Sequence, residues 1–288
     1  CLAEKSTGIG GRLATRSTQW GVIDHGAPSI EAGGNPFRAL MTGLAKNGSV
    51  ERWPADDNAE NRHVGVGGMR YLLKPLADGL DIRFETTVIQ LSHIDQHVHV
   101  TLDAGDGTTN ETYDHVVLAI PAPQAALFTR KFGAPFEHLE EVIFEPCFSG
   151  LFVLPKALPI SDRIQNKGDL ALALRCNGRP GDDAKGGEDR WILHASASFS
   201  QKHLEVDKRD MNDAMLALFQ QAVDCDIGEP LYGRAHKWRY SRVYQPLGNP
   251  FLIGCEGLVS VIGDSMLGPN AEHAFESARS LVDYMKSI

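Results

Sequence analysis

The sequence contains no run of about 18 apolar residues, the length a helix needs to cross a bilayer, and no segment reads as a signal peptide. Cysteine is scarce. Cys1, Cys147, Cys176, Cys225 and Cys255 form an odd set of five without a C-x-x-C pair, which argues against a disulfide framework and for reduced thiols in a cytoplasmic protein. Positive charge is in deficit as well. With 28 Lys and Arg against 37 Asp and Glu, the net charge of -9 argues against a nucleic-acid partner or an anionic membrane surface. There is no internal repeat. What remains is a chain of 288 residues, 42% hydrophobic, able to bury a core as one large or two interleaved domains.

Another absence is local. The segment Cys1 to Arg16, CLAEKSTGIGGRLATR, reads as the second half of a dinucleotide-binding unit, in which a strand ends on an acidic residue that accepts hydrogen bonds from a ribose. That residue is Glu4. The Gly-rich phosphate loop of such a unit lies roughly 20 residues upstream, and only three residues precede Glu4 here. The expectation is a chain that starts inside the unit and by itself binds the nucleotide weakly or not at all. Downstream, Gly8, Gly10 and Gly11 leave backbone free for close approach, and Arg12 offers a planar charged fork to a phosphate oxygen.

Val22 to Ala27, VIDHGA, reads as the end of a buried strand whose tip presents backbone to a ligand. His25 in that block reads most simply as a core histidine satisfied by a hydrogen bond. In HVGVGGMRYLLKPL, His63 to Leu76, the residues Met69, Leu72, Leu73 and Leu76 form an apolar helical stripe behind Gly67 and Gly68, with Pro75 ending or kinking the helix. From Ile82 to Pro121 the pattern becomes short strands. Ile94, Val98, Val100 and Leu102 alternate with His93, Asp95, His97, His99 and Thr101, a face that fits solvent better than metal. Gly105 to Gly107 make a hairpin turn, and Tyr113 to Pro121 read as a buried strand stopped by proline.

Leu258 to Met285 begin as an apolar strand, break at Gly263, place Asp264 at the tip and continue into a helix whose buried face would carry Ala271, Ala274, Phe275, Ala278, Leu281, Val282 and Met285. Between these segments, Phe148 to Leu154, Asp169 to Arg175 and Arg190 to Ser196 read as strands, Met211 to Val223 as an amphipathic helix, and Cys176 to Asp189 as an exposed loop. In HKWRYS, His236 to Ser241, Trp238 and Tyr240 share one strand face.

Taken in order, the acidic strand end, GGR, DHGA, AIP at Ala119 to Pro121, WRY and the GD-helix block resemble the flavin-containing amine oxidases, most closely the renalase-like flavoproteins. The resemblance implies an α/β fold: a Rossmann-type FAD-binding domain lacking its first βα unit, at 1–33, 64–122 and 251–288, with an inserted α+β substrate domain of mainly antiparallel sheet at 34–63 and 123–250. It implies FAD contacts at Glu4, Gly10, Gly11, Arg12, Gly26, Ala27, Val88, Gly263, Asp264, Ala271 and Glu272, with the Ala271 helix start facing the flavin pyrimidine. Trp238 and Tyr240 would wall the substrate, and no metal is implied. Pro28 departs from the family, which carries a glutamine there, and a contact made by that side chain is lost.

The activity so implied moves hydride from a carbon next to nitrogen, in a reduced nicotinamide dinucleotide isomer or an amine, to the flavin and then to dioxygen, releasing hydrogen peroxide. A rival reading takes Gly263, Asp264 and Ser265 as the GDS block of a serine esterase, with His273 and Glu272 as partners. A third takes the chain as an inactive piece of a flavoprotein.

Overall fold

A computed structural model describes residues 1–53, 62–184, 186–207 and 209–288. The chain packs as two compact units, one of Cys1–Ile9, Ala77–Phe144 and Val243–Ile288, the other of Gly10–Leu76 and Glu145–Arg242. Among the described residues no helix is long and apolar enough to cross a membrane.

In the first unit the strand Leu2–Ala3 runs parallel to Ile82–Arg83, and Val116–Leu118 runs parallel to Val259–Val261, which also pairs antiparallel with Leu252–Gly254. An antiparallel meander, Thr87–Ile94, His97–Asp103 and Thr108–Tyr113, joins them in sequence. Alternation makes the core: Val98, Val100 and Leu102 point inward and pack with Leu91, Ala125, Phe136, Val259 and Met266. Two expectations fail at strand ends. The turn at Asp95, φ 54°, resets the alternation, so Ile94 is 54% exposed. Val117 is 42% exposed because its short strand has a ladder partner on one side only among the described residues. The helix Ala271–Ser287 buries Ser277 and Leu281, whereas Val282 and Met285, expected inside, are exposed.

The second unit is built on a five-stranded sheet in the order Arg163–Lys167, Leu170–Arg175, Asp189–Ala195, Ile143–Leu154, Tyr232–Gln245. The helix Met211–Ala222 lays Met211, Met215, Leu218 and Phe219 on one side of it, against Trp191 and Phe152. The hairpin Thr15–Thr18 and Gly21–Asp24 packs Ile23 with Leu151, Leu174 and Ile192. That contact explains why residues 10–33, expected with the cofactor domain, pack with the antiparallel sheet. Residues 64–76 do the same. Conversely, residues 123–144 and 243–250 belong to the first unit, where Phe136 and Leu139 lie in its core. Residues 54–61, placed by sequence in the substrate domain, lie outside the described residues.

Two local readings also change. Met69–Leu73 is a 3-10 turn running into the short helix Lys74–Ala77, so Met69 and Leu72 are buried but Leu76 is exposed. The loop after Cys176 is exposed at Gly178, Gly181, Asp183, Gly186 and Gly187, as expected, but is pinned to the unit by two ion pairs. Its Arg179 is 5% exposed and pairs with Asp24, and its Asp182 pairs with the buried Arg190.

Candidate cofactor and substrate site

The first unit holds two groups of the expected residues. Glu4 follows the strand Leu2–Ala3; its N–H donates to the Arg83 carbonyl at 2.9 Å and its own carbonyl accepts the Thr86 N–H at 3.0 Å. This fixes Glu4 beside the start of Thr87–Ile94, two residues from the half-buried Val88. Its carboxylate accepts the Ser6 N–H at 2.8 Å. In the second group, Ile262 donates to the Leu118 carbonyl at 3.1 Å and Ala122 donates to Ser265 Oγ at 3.2 Å, which brings Ala119 to Pro121 against Gly263 to Ser265. Gly263 has φ 132° and open space where a Cβ would stand, so its backbone face can be approached closely. Asp264 is 5% exposed at the head of the turn Asp264–Leu267. Ala271 and Glu272 open the long helix behind a capping box of Asn270 and His273. Among the described residues no ladder joins the strand before Glu4 to the strands around Asp264.

These contacts dispose of the esterase. Ser265 is 1% exposed and its Oγ is committed to a backbone N–H, while His273 Nδ1 accepts the Asn270 N–H at 3.2 Å. Neither geometry makes a nucleophile and its base.

Gly10, Gly11, Arg12, Gly26 and Ala27 lie in the second unit, where GGR and DHGA are packed on each other. A Cβ on Gly26 would sit 1.9 Å from the Arg12 carbonyl oxygen, and the Ala27 N–H donates to that same oxygen at 2.8 Å. The His25 N–H goes to the Ala14 carbonyl at 3.0 Å. The strand tip expected to present its backbone to a ligand is therefore spent on protein. Gly11, φ 50°, remains open, and Arg12 donates to the Ser241 carbonyl at 3.3 Å. Asp24, which sequence reasoning passed over, is the hub: fully buried, it accepts from Thr15, from the Met69 N–H at 2.9 Å and from Arg179. An arginine in a Gly- and charge-rich loop gives no sequence signal for such a pair.

An aromatic cluster lies beside it. His25 stacks on Trp238 at 5.6 Å and meets His236 edge-on at 5.1 Å; the His236 and Trp238 rings are 4.3 Å apart. Trp238 Nε1 and Ser149 Oγ both donate to the His25 carbonyl, at 2.8 and 2.9 Å. The His25 ring is not satisfied as expected, because its buried Nδ1 has no partner among the described residues, nor does His194 Nε2. Burial, helped by His236, Arg16 and Arg234, lowers the His25 pKa to about 3. Burial lowers that of His194 to about 4, against a backbone hydrogen bond to Gly26 that raises it. Tyr240 lies on the Trp238 face of the strand.

The donor set fits a flavin dinucleotide. Within the first unit, Glu4 and the buried Asp264 are carboxylates of the kind that accept from hydroxyl groups, and Gly263 has open space above its backbone. Solved structures share the fold. A putrescine oxidase bound to putrescine is similar with a TM-score of 0.66 at 10% identity, over 99% of this chain and 93% of that one. A protein described as a protoporphyrinogen oxidase from Exiguobacterium sp. 255-15 gives 0.58 at 16% identity, over 78% and 52%. Cyclohexylamine oxidase from Brevibacterium oxydans IH-35A gives 0.56 at 15%, over 78% and 55%. The match thus spans about half the length of the last two. Residues 45–250, more than half of the chain, match the family of flavin containing amine oxidoreductases. The chain belongs to that family, with FAD as its cofactor.

Proposed function

We propose that this protein is an FAD-dependent oxidoreductase of the oxidase type, renalase-like in substrate. Its electron donor would be a carbon next to nitrogen in a reduced nicotinamide dinucleotide isomer or an amine, its acceptor dioxygen, and its product hydrogen peroxide. The observation that carries this reading is the buried Asp264 carboxylate beside the open backbone of Gly263, in a chain of a flavin-containing family. FAD, when bound, supplies the ring that accepts hydride, so no protein nucleophile is needed.

The first unit is proposed as the cofactor part. Glu4 and Asp264 would accept hydrogen bonds from ribose and ribityl hydroxyls, and the first turn of Ala271–Ser287 carries partial positive charge suited to an electron-rich ring edge. The second unit is proposed as the substrate part. There Trp238 and Tyr240 would wall the substrate, and His25, neutral throughout the working range of pH, would hold no charge against it. The test is anaerobic titration of the FAD-loaded protein with each candidate while the flavin band near the visible maximum is followed. Bleaching by a dihydronicotinamide dinucleotide or by an amine supports the reading and picks the substrate. A band untouched by both classes removes it.

A further inference from the structure

Along Tyr232–Gln245 the cations divide by face. Alternation puts Lys237 and Arg239 on one side and Arg234, His236, Trp238 and Arg242 on the other. The first side is matched: Lys237 Nζ donates to the Leu204 carbonyl at 2.7 Å, and Arg239 pairs with Glu205 at 2.9 Å. On the aromatic side, Arg234 and Arg242 form no ion pair among the described residues, and neither does Arg16 from the hairpin strand Thr15–Thr18. His25 is held to this face by the Trp238 Nε1 hydrogen bond and by ring contacts with Trp238 and His236. Arg16 and Arg234 both act on its imidazole. The neighbouring Asp24 carboxylate does not offset them, being taken by Arg179, Thr15 and Met69.

Flat rings alone would attract an ammonium through their π faces. Guanidinium groups beside those rings reverse the preference, since they repel a cation and pair with carboxylate or phosphate through two parallel hydrogen bonds. The chain as a whole, at -9, does nothing to gather anions, and surface charges are screened beyond about 8 Å at physiological salt. Any anion preference here is therefore local.

We infer that the face formed by Arg234, His236 and Trp238, with His25 and Arg16, recognises a planar molecule bearing a carboxylate or phosphate, so that the substrate is anionic rather than an alkylammonium. The second half of that statement rests on the oxidoreductase reading; the binding preference does not.

Benzoate, phenyl phosphate, benzamide and benzylamine share a ring and differ in charge, and each is titrated into the FAD-loaded protein at low salt by calorimetry and tryptophan fluorescence. The expected order is either anion about tenfold tighter than benzamide, with benzylamine weakest. The tighter of the two anions identifies carboxylate or phosphate as the preferred group. Arg16→Gln with Arg234→Gln is expected to weaken the anions about tenfold while benzamide stays within about twofold, which also reports an intact aromatic face. Benzylamine binding as tightly as benzoate, no saturable binding of either anion, or anion affinity unchanged in the double variant would overturn the inference. Correct binding order with no flavin bleaching by any donor sinks the oxidase reading alone.

Discussion

The carboxylate of Asp24 accepts the backbone N–H of Met69 at 2.9 Å, a bond between residues 45 positions apart that ties DHGA to VGVGGM. The same carboxylate binds Thr15 and the buried Arg179. It follows that Asp24→Asn should be severely destabilising, by about 3–5 kcal/mol, because the buried Arg179 loses the carboxylate it is hydrogen-bonded to and keeps only the charge of Asp182 nearby. Chemical denaturation measures the loss. Asp24→Asn combined with Arg179→Met should recover a large part of it, and a double variant as unstable as the single one would refute the pairing argument.

Gly26 is glycine because backbone lies where a Cβ would go, 1.9 Å from the Arg12 carbonyl oxygen. Gly26→Ala should therefore cost about 1–3 kcal/mol or more, since that oxygen also holds the Ala27 N–H and has nowhere to retreat. A thermal midpoint unchanged by the substitution would contradict the close approach. Gly11→Ala meets open space and pays only for its φ of 50°, so it should be milder.

Acid should destabilise the second unit earlier than its carboxylates would require. His25 and His194 have folded pKa values of about 3 and about 4, below the unfolded value of about 6.5, so the unfolded chain binds more protons once pH falls under 6.5. Their contribution is complete above pH 6.5 and is lost as pH falls toward about 4 for His194 and about 3 for His25, at up to about 1.4 kcal/mol per pH unit for each ring. Stability measured at pH 7.5, 6 and 5 checks the slope. His194→Gln should roughly halve it.

Asp264→Ala should weaken FAD binding by about tenfold or more, the loss of one or two hydrogen bonds to a charged acceptor. Flavin fluorescence on dilution reads the change. Ser265→Ala serves as the comparison: it removes the acceptor for the Ala122 N–H and should cost about 1 kcal/mol of stability with little effect on flavin reduction.

Much of the architecture was legible. Alternation in HVHVTLD gave a strand with the right inward residues, the apolar run FSGLFVL gave a strand that is buried throughout, and Met211 to Val223 gave a helix with one buried face. Errors clustered where one residue changes the register or a neighbour is lacking: Asp95 turned the chain and threw Ile94 outward, and Val117, Val282 and Met285 are apolar but uncovered. Among the proposed cofactor contacts, the sequence drew attention to Glu4, Gly263 and Asp264 through an acidic strand end and a Gly-Asp strand tip. It gave no hint that Gly26 serves packing, which depends on how the chain folds back onto Arg12, nor that Asp24 is the buried centre of its unit, which depends on Met69 and Arg179 far along the chain.

The family and its cofactor were written in local chemistry: short blocks of glycine, acid and aromatic residues in a fixed order carry their meaning without knowledge of what they touch. The grouping of those blocks was not. Ile23 needs apolar partners and Asp24 a countercharge, and both are satisfied by segments more than a hundred residues away, which draws GGR and DHGA into the antiparallel unit rather than the one holding Glu4. Likewise, strand parity fixed that Arg234 and Trp238 share a face, but only tertiary packing brought His25 and Arg16 to that face and matched the cations on the other, because ion pairing is decided by distance in space and not along the chain.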